Sequence, residues 1–212
     1  RQGVLGDVAL GFDELEPYLE RSPFIGALIG RVGNRIAKGK FTIDGVNYQV
    51  SAESGGNNLH GGPEGFDKHV WTGQVIQKDG DEALRLSLLS PDGDQGFPGN
   101  LQVEVIYQFT AKNEVVVDYH ATTDKPTPVN LTQHSYFNLA GKGNVLSHQL
   151  HINADHINAV DETMIPTGAP MPVAGTPFDF RTAKPIGQDI NAPHEQLIRG
   201  GGYDHNFLIN QS

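Results

Sequence analysis

The 212-residue chain contains no cysteine. Disulfides, thiolate nucleophiles and cysteine-based zinc or iron–sulfur sites are therefore excluded from its chemistry. A chain without cysteine suits a reducing compartment, so we expect a cytoplasmic protein, or a periplasmic one if a signal peptide has been removed.

Cationic residues are scarce: 15 lysines and arginines stand against 25 aspartates and glutamates, for a net charge of -10. Nucleic-acid binding depends on lysines and arginines that neutralise phosphates, so we expect no nucleic-acid partner. The same charge argues against an anionic membrane surface. No apolar run in the sequence is long enough to span a bilayer, and we expect no membrane partner.

Long amphipathic helices are missing from the pattern as well. Helical turns are predicted only at 15–21, 182–190 and 193–199, whereas short strand signals recur along the chain. The 26 glycines and 13 prolines separate these strands, as is typical of all-β proteins. We therefore predict an all-β fold, an antiparallel β-sandwich or barrel, formed by residues 1–212 as a single domain.

Two hairpins show a two-residue period on both arms. Asp44-Gly45 marks a tight turn between strands at 41–43 and 46–50. A second hairpin joins strands at 101–109 and 115–119, and each arm is predicted to bury one face. A strand is also predicted at 4–10, and the prolines and glycines beyond Asp161 predict loops.

The segment 129–138 carries the most distinctive polar pattern. As a strand, it places Leu131, Gln133, Ser135 and Phe137 on one face, and Asn130, Thr132, His134, Tyr136 and Asn138 on the other. The second face suits a polyhydroxylated ligand, because an aromatic ring covers the C–H face of a sugar while polar groups meet its hydroxyls. An ordinary strand with one solvated face is the alternative that the period leaves open.

Three further polar clusters lie beside glycines. Asn34-Arg35 follows an apolar strand, His60 precedes Gly61-Gly62, and Asp204 comes shortly after three consecutive glycines in the chain. An arginine donates several hydrogen bonds in a fixed geometry, and a carboxylate accepts hydroxyl hydrogens, so both suit a sugar. The ordinary alternatives are a surface charge, a turn histidine and a turn cap.

A metal site and a pair of glycosidase carboxylates are weaker hypotheses. His148, His151, Asp155 and His156 are close in sequence, but strand positions three apart face opposite ways, so we expect no metal site. A glycosidase needs two carboxylates facing each other across the scissile bond, and no spacing in the chain pairs them.

In chain order, these motifs resemble the aldose 1-epimerase (galactose mutarotase) family. The matching segments are 30–36 (GRVGNRI), 39–41 (GKF), 58–62 (NLHGG), 65–68 (GFDK) with Trp71, 130–139 (NLTQHSYFNL), 166–168 (PTG), 175–181 (GTPFDFR) and 202–207 (GYDHNF). The resemblance implies a galactose mutarotase-like β-sandwich with a sugar site on the concave face of a curved sheet. It also implies interconversion of the α and β anomers of a free aldohexose such as galactose or glucose, without a cofactor. We expect a monomer or a homodimer.

The resemblance assigns roles to particular residues. The family's binding arginine falls on Arg35, beside Asn34, and its binding aspartate falls on Asp204. Its two site histidines fall on His60 and His134, of which His134 is the general acid. Ring opening needs a base for the C1 hydroxyl proton and an acid for the ring oxygen, and a free imidazole, with a pKa of about 6.5, can donate and recover a proton.

One family residue has no counterpart in the sequence. The family's general base is a glutamate beyond the Tyr-Asp-His-Asn motif, and no glutamate occupies that place before Ser212. We therefore expect residues 1–212 to be a fragment that lacks N-terminal strands and a C-terminal segment. The first alternative is a non-catalytic sugar-binding module. The second is a hexose-6-phosphate 1-epimerase, whose phosphate would need cations among Arg31, Arg35, Lys38, Lys40 and Lys68.

Overall fold

A computed structural model describes residues 6–20 and 23–211 of the chain. Strands predominate in it, which confirms the all-β prediction. The strands are β1 (Leu28–Ile29), β2 (Arg35–Ile36), β3 (Lys40–Ile43), β4 (Val46–Gln49), β5 (Asn58–Leu59), β6 (Thr72–Lys78), β7 (Asp81–Ser90), β8 (Leu101–Phe109), β9 (Val115–Thr123), β10 (Thr132–Gln133), β11 (Gln149–Leu150), β12 (Ala154–Val160), β13 (Pro166–Pro172), β14 (Lys184–Pro185) and β15 (Phe207–Ile209).

The helices are α1 (Glu16–Leu19) and α2 (Glu195–Gly200), close to two of the predicted helical turns. Single 3₁₀ turns occur at Ala37–Gly39, Phe66–Lys68, Asp94–Gly96 and Ile186–Gln188. Across the part of the chain that the structure describes, no helix has the length and apolar character of a membrane span. The chain divides into two compact units, one formed by 27–134 and the other by the described parts of 1–26 and 135–212.

The unit 27–134 is built on an antiparallel four-stranded sheet in the order β6-β7-β8-β9. The alternation predicted for β8 is confirmed where Leu101, Val103 and Val105 enter the core with Leu28, Phe66 and Leu88. The prediction holds only in part for β9, since Val117 packs against this core while Val115 and Tyr119 are 60% and 37% exposed. On the predicted face of β9, the core therefore covers Val117 but leaves the side chains at positions 115 and 119 partly in solvent.

The smaller strand pairs of this unit follow local backbone chemistry. Strands β3 and β4 form the hairpin predicted at Asp44-Gly45. Both turn residues have positive φ, 50° for Asp44 and 79° for Gly45, a conformation that Asp and Gly tolerate and that matches strand twist in a two-residue turn. Strand β1 pairs with β10, and β2 pairs with β5.

Arg31, two residues after the end of β1, is the largest fully buried side chain of the described residues, at 2% exposure. Its guanidinium donates to six acceptors at 2.8–3.2 Å: the carbonyls of Ser90, Pro91, Pro98 and Gly99 and the hydroxyls of Ser90 and Thr127. The hydroxyl of Ser90 donates in turn to Asp94 at 2.6 Å. Arg31 thus ties the loop between β7 and β8 to the segment that leads into β2.

The segment 129–138 is not the continuous strand that its alternation predicts. Only β10 and single bridges at Asn130 and Phe137 are β-paired. Exposure alternates from Asn130 to Gln133 but not beyond, because His134 and Ser135 are both half-buried. The alternation of polar and apolar side chains therefore stops near His134, and residues 134–136 are not in a strand. Of the strand predicted at 4–10, residues 4 and 5 lie outside the described residues, and only Ala9 is paired, with Phe137.

The second unit contains a three-stranded sheet in the order β13-β12-β15 and the pair β11–β14. Its core joins Ile157, Val173, Phe178 and Leu197. Strand β13 contradicts the loop prediction beyond Asp161. Three prolines are tolerated in β13 because it is an edge strand that needs to pair on one side only. Helix α2 is capped by the side chain of His194 at its start and by Gly201 in the left-handed conformation at its end.

Replacing Arg31 by methionine tests the buried network. The Arg31→Met variant leaves four backbone carbonyls short of a donor, so the free energy of unfolding should fall by about 3 kcal/mol or more. Urea unfolding followed by circular dichroism measures the change. Arg85→Met, at a 41% exposed side chain, is the matched control and should cost less than about 1 kcal/mol. Equal losses in the two variants would contradict a special role for Arg31.

Candidate functional site

The predicted residues Asn34, Arg35 and His60 lie side by side at the start of the β2–β5 pair. Asn34 and His60 both adopt the left-handed conformation, with φ of 58° and 53°. The Asn34 N–H donates to Nδ1 of His60 at 3.0 Å, and the His60 N–H donates to the carbonyl of Asn34 at 2.9 Å. Arg35 Nη1 donates to Oδ1 of Asn34 at 2.9 Å. The backbone of Asn34 therefore fixes the His60 ring, and its side chain orients Arg35.

Two glycines allow the backbone at His60 to pack against the segment that precedes Asn34. Gly61 has a φ of 94°, and a Cβ there would overlap the carbonyl oxygen of Gly30. A Cβ on Gly30 would in turn overlap the ring of Phe66, whose N–H donates to the Gly30 carbonyl at 3.3 Å. Only glycine allows the two backbone segments to approach this closely.

The third predicted group, His134, comes from the end of β10. Its N–H donates to the carbonyl of Ala27 at 2.9 Å, which extends the β1–β10 pairing by one residue. Its ring meets the His60 ring edge to face, with centroids 5.2 Å apart and an interplanar angle of 84°. The structure thus brings together both histidines that the sequence singled out, although they are 74 positions apart in the chain.

His60 is kept uncharged by its surroundings. Burial is the largest cause that lowers the pKa of His60, to about 4; the nearby His134 and Arg35 act in the same direction, and the negative charge of Asp67 opposes them. Because Nδ1 accepts a hydrogen bond from Asn34, the neutral ring carries its proton on Nε2. His60 is therefore a hydrogen-bond donor at Nε2 over the physiological pH range.

Asp67 acts on this histidine pair and belongs to one of the matching motifs, although the sequence analysis assigned it no role. Its side chain is 6% exposed and pairs with Nζ of Lys68 at 2.9 Å. Its negative charge raises the pKa of His60 and so opposes the effect of burial. The signal in the sequence was the motif 65–68 (GFDK), and the structure shows why it begins with glycine: a Cβ on Gly65 would lie 3.1 Å from the Asp67 carboxylate.

Asp204 lies in the other unit, between Gly202 and β15, with an exposed side chain. Within 6–20 and 23–211, no hydrogen bond or ion pair engages its carboxylate. Burial raises the pKa of Tyr136 and the negative charge of Asp204 raises it further, so these two groups are close in space. The hydroxyl of Tyr136 donates to the carbonyl of Pro23 at 3.0 Å. The carboxylate of Asp204 is thus available to accept hydroxyl hydrogens from a ligand.

The histidines considered for a metal do not converge. Among the residues that the structure describes, no three His, Asp or Glu side chains are grouped so as to hold a metal ion. Asp155 is instead bound by Arg181, which also pairs with Asp179.

The comparisons with known proteins agree on one family. A family model described as Aldose 1-epimerase matches residues 1–212. Galactose mutarotases of Sus scrofa and Homo sapiens are 48% and 47% identical to the chain over 214 residues and cover all of it. The aldose 1-epimerase of Escherichia coli K12 is 46% identical over 208 residues, or 98% of the chain. The chain spans about 60% of the length of these curated relatives.

Solved structures give the same result. The crystal structure of galactose 1-epimerase from Lactobacillus acidophilus superposes with a TM-score of 0.91 at 33% identity, covering 98% of this chain and 61% of that one. An aldose epimerase homologue from C. elegans superposes with a TM-score of 0.81 at 32% identity, covering 97% and 61%. These neighbours confirm the predicted galactose mutarotase-like β-sandwich.

The environment of His60 predicts a specific pH dependence. Its pKa of about 4 lies below the value of about 6.5 for free histidine, so the unfolded chain binds more protons between these two values. The stability that His60 contributes is therefore fully present above pH 6.5 and is lost as the pH falls towards 4.

Two measurements check this dependence. The ring signals of His60 in an NMR titration should move with a midpoint near pH 4, and urea unfolding at pH 7 and pH 5 should show a smaller loss of stability in His60→Gln than in the wild type. His120→Gln, at an exposed position of β9, is the control and should leave the pH dependence unchanged. A His60 midpoint near pH 6.5 would refute the assignment of a buried, neutral ring.

Proposed function

Because residues 1–212 belong to the aldose 1-epimerase family, we propose that the protein interconverts the α and β anomers of a free aldohexose. Galactose is the first candidate substrate, since curated relatives are named galactose mutarotase, and glucose is the second. The observation that carries the proposal is the His60–His134 pair with Arg35 beside it. We further propose that the family match over 1–212 marks one domain, which acts without a cofactor.

The proposed reaction begins with opening of the sugar ring. A base takes the proton of the C1 hydroxyl, the C1–O5 bond breaks as the C1 carbonyl forms, and His134 protonates the ring oxygen. Rotation about C1–C2 and the reverse transfers then give the other anomer. His134 recovers its proton when the ring closes, so no net proton is consumed.

The neighbouring groups hold the sugar during these transfers. His60 donates one hydrogen bond from Nε2, and its neutrality means that it does not compete with His134 as the acid. Arg35 keeps further N–H donors besides the one given to Asn34, and the Nδ2 group of Asn34 carries two more. Asp204 accepts from sugar hydroxyls. Fixing the sugar at several hydroxyls keeps C1 and the ring oxygen in line with the acid and the base.

The proposal assigns the general base to no residue among 1–212. The family places it on a glutamate C-terminal to the Tyr203–Asn206 motif, and residues 207–212 contain no glutamate. The location of the sugar on the concave face of a curved sheet likewise stays a prediction from the family.

Two of the five cations considered for a phosphate are already engaged by protein groups. Arg31 is buried and donates to six protein oxygens, and Lys68 is paired with Asp67. A phosphate is usually held by several free cationic donors. The free hexose is therefore the better-supported substrate.

Polarimetry of freshly dissolved α-galactose tests the proposal in the complete protein. His134→Asn should slow the catalysed exchange of anomers by about 10² to 10⁴-fold, because a general acid contributes about that factor. His120→Asn is the matched control and should keep the wild-type rate, since His120 is exposed on β9.

Two outcomes would contradict the proposed function. An unchanged rate in His134→Asn would refute the role of His134 as the acid. Binding of galactose to the wild type without any acceleration of anomer exchange would identify a sugar-binding module instead of an enzyme. Faster conversion of glucose 6-phosphate than of glucose would favour the phosphorylated substrate.

A further inference from the structure

Gln196 is a buried amide in α2 whose three hydrogen bonds fix its orientation. It is 5% exposed. Its Oε1 accepts from the N–H of Val160 at 2.8 Å, and its Nε2 donates to the carbonyl of Val160 at 3.1 Å. Because a backbone N–H can only donate, the amide atom facing it must be the oxygen. The side chain of Gln196 is thereby locked to the end of β12.

The same oxygen fixes the ring of His205. His205 Nε2 lies 3.1 Å from Oε1 of Gln196 and must carry the proton, since Oε1 can only accept. The other ring nitrogen, Nδ1, is buried without a hydrogen-bond partner among the described residues. The bond to Gln196 is therefore the single polar contact that determines how this ring is oriented.

Close packing also restricts the position of the His205 ring. Its ring meets the ring of Phe178 edge to face, with centroids 4.7 Å apart. A Cβ on Gly200, at the end of α2, would lie only 3.0 Å from Cε1 of His205. A larger residue at 200 would displace the ring, so the glycine that ends the helix also makes room for His205.

The residues around Asp204 are held in a similar way. On one side, the hydroxyl of Tyr203 donates to the carbonyl of Pro177 at 3.1 Å and its ring packs on Phe178. On the other side, the carbonyl of Asn206 accepts from the N–H of Asn158 at 2.9 Å. Asp204 itself projects an exposed carboxylate from between these anchored neighbours. Its position is thus set by residues 203, 205 and 206 and not by contacts of its own carboxylate.

We propose that Gln196 and His205 are positioning residues for Asp204, acting as a relay from β12 and α2 to the carboxylate that binds the sugar. The inference rests on the proposed function, in which Asp204 accepts from sugar hydroxyls. A displaced binding carboxylate weakens the bound sugar and its transition state alike, so KM rises while kcat is kept. Neither Gln196 nor His205 touches the sugar in this proposal.

The test replaces Gln196 by methionine in the complete protein, which keeps the side-chain volume and removes all three hydrogen bonds. Gln196→Met should raise the KM for galactose about tenfold and leave kcat within about twofold. In the Asp204→Ala background, the same substitution should raise KM no further, because the group that it positions is already gone. His205→Gln, which keeps an N–H donor, should restore more of the wild-type KM than His205→Leu.

Gln108→Met is the control for a purely structural effect. Gln108 is also a buried glutamine, 6% exposed, and its Nε2 donates to the carbonyl of Lys78 at 3.0 Å in the other unit. The control should lower the thermal unfolding midpoint while KM stays unchanged. All variants are assayed at a temperature at which thermal unfolding shows them to be folded.

Three results would overturn the positioning role. They are an unchanged KM in folded Gln196→Met, an equal KM increase with and without Asp204, and a KM increase in Gln108→Met as large as in Gln196→Met. Failure of the proposed function is recognised separately, by a wild type without anomer exchange. In that case amide hydrogen exchange decides: faster exchange at residues 203–206 in Gln196→Met supports the relay, and unchanged exchange refutes it.

Discussion

The buried guanidinium of Arg31 is the constraint on which the unit 27–134 depends. A charge removed from water is costly unless its donors are fully used, and here every nitrogen of the guanidinium finds protein oxygens. The acceptors are mainly carbonyls of one irregular loop, which could not otherwise be buried with its polar groups satisfied. Arg31 therefore gives that loop a single position and fixes the backbone three and four residues before Asn34 and Arg35.

From this fixed backbone the site is assembled largely by main-chain contacts. Asn34 and His60 exchange two hydrogen bonds in left-handed conformations, and Gly30 and Gly61 allow the two segments to touch. A ring held through Nδ1 and largely buried stays neutral, so His60 offers a donor and not a charge. The pair of histidines is thus asymmetric: the backbone consumes one nitrogen of His60, whereas His134 reaches the pair from the end of a strand. In the proposed mechanism, His60 is the fixed hydrogen-bond donor and His134 is the acid.

The sequence predicted those features that depend on local chemistry. The hairpin at Asp44-Gly45, the alternation of β8 and the helical turn at α2 were all readable, because turn residues and period decide them. Strand β13 was missed, since prolines argue against a strand unless it is known to lie at a sheet edge. The burial of Arg31 was missed because charged residues are usually exposed. For the site, the motifs identified His60, His134 and Arg35, but the tautomer of His60 depends on the fold around Asn34 and could not be read from spacing.

The two units hold their polar groups by different means, and the difference bears on how each group tolerates substitution. His60 and Arg35 are fixed by the backbone and side chain of one residue, Asn34, so their geometry is tied to a left-handed turn. Asp204 is fixed indirectly, through the side chain of His205 and the amide of Gln196. A group that is positioned by backbone hydrogen bonds keeps its place through most side-chain substitutions nearby. A group that is positioned through a series of side chains is displaced when any one of them loses its hydrogen bond. The alternation of segment 129–138 therefore predicted His134. It could not predict the positions of His60 and Asp204, which depend on Asn34 and on the Gln196–His205 hydrogen bond in other parts of the chain.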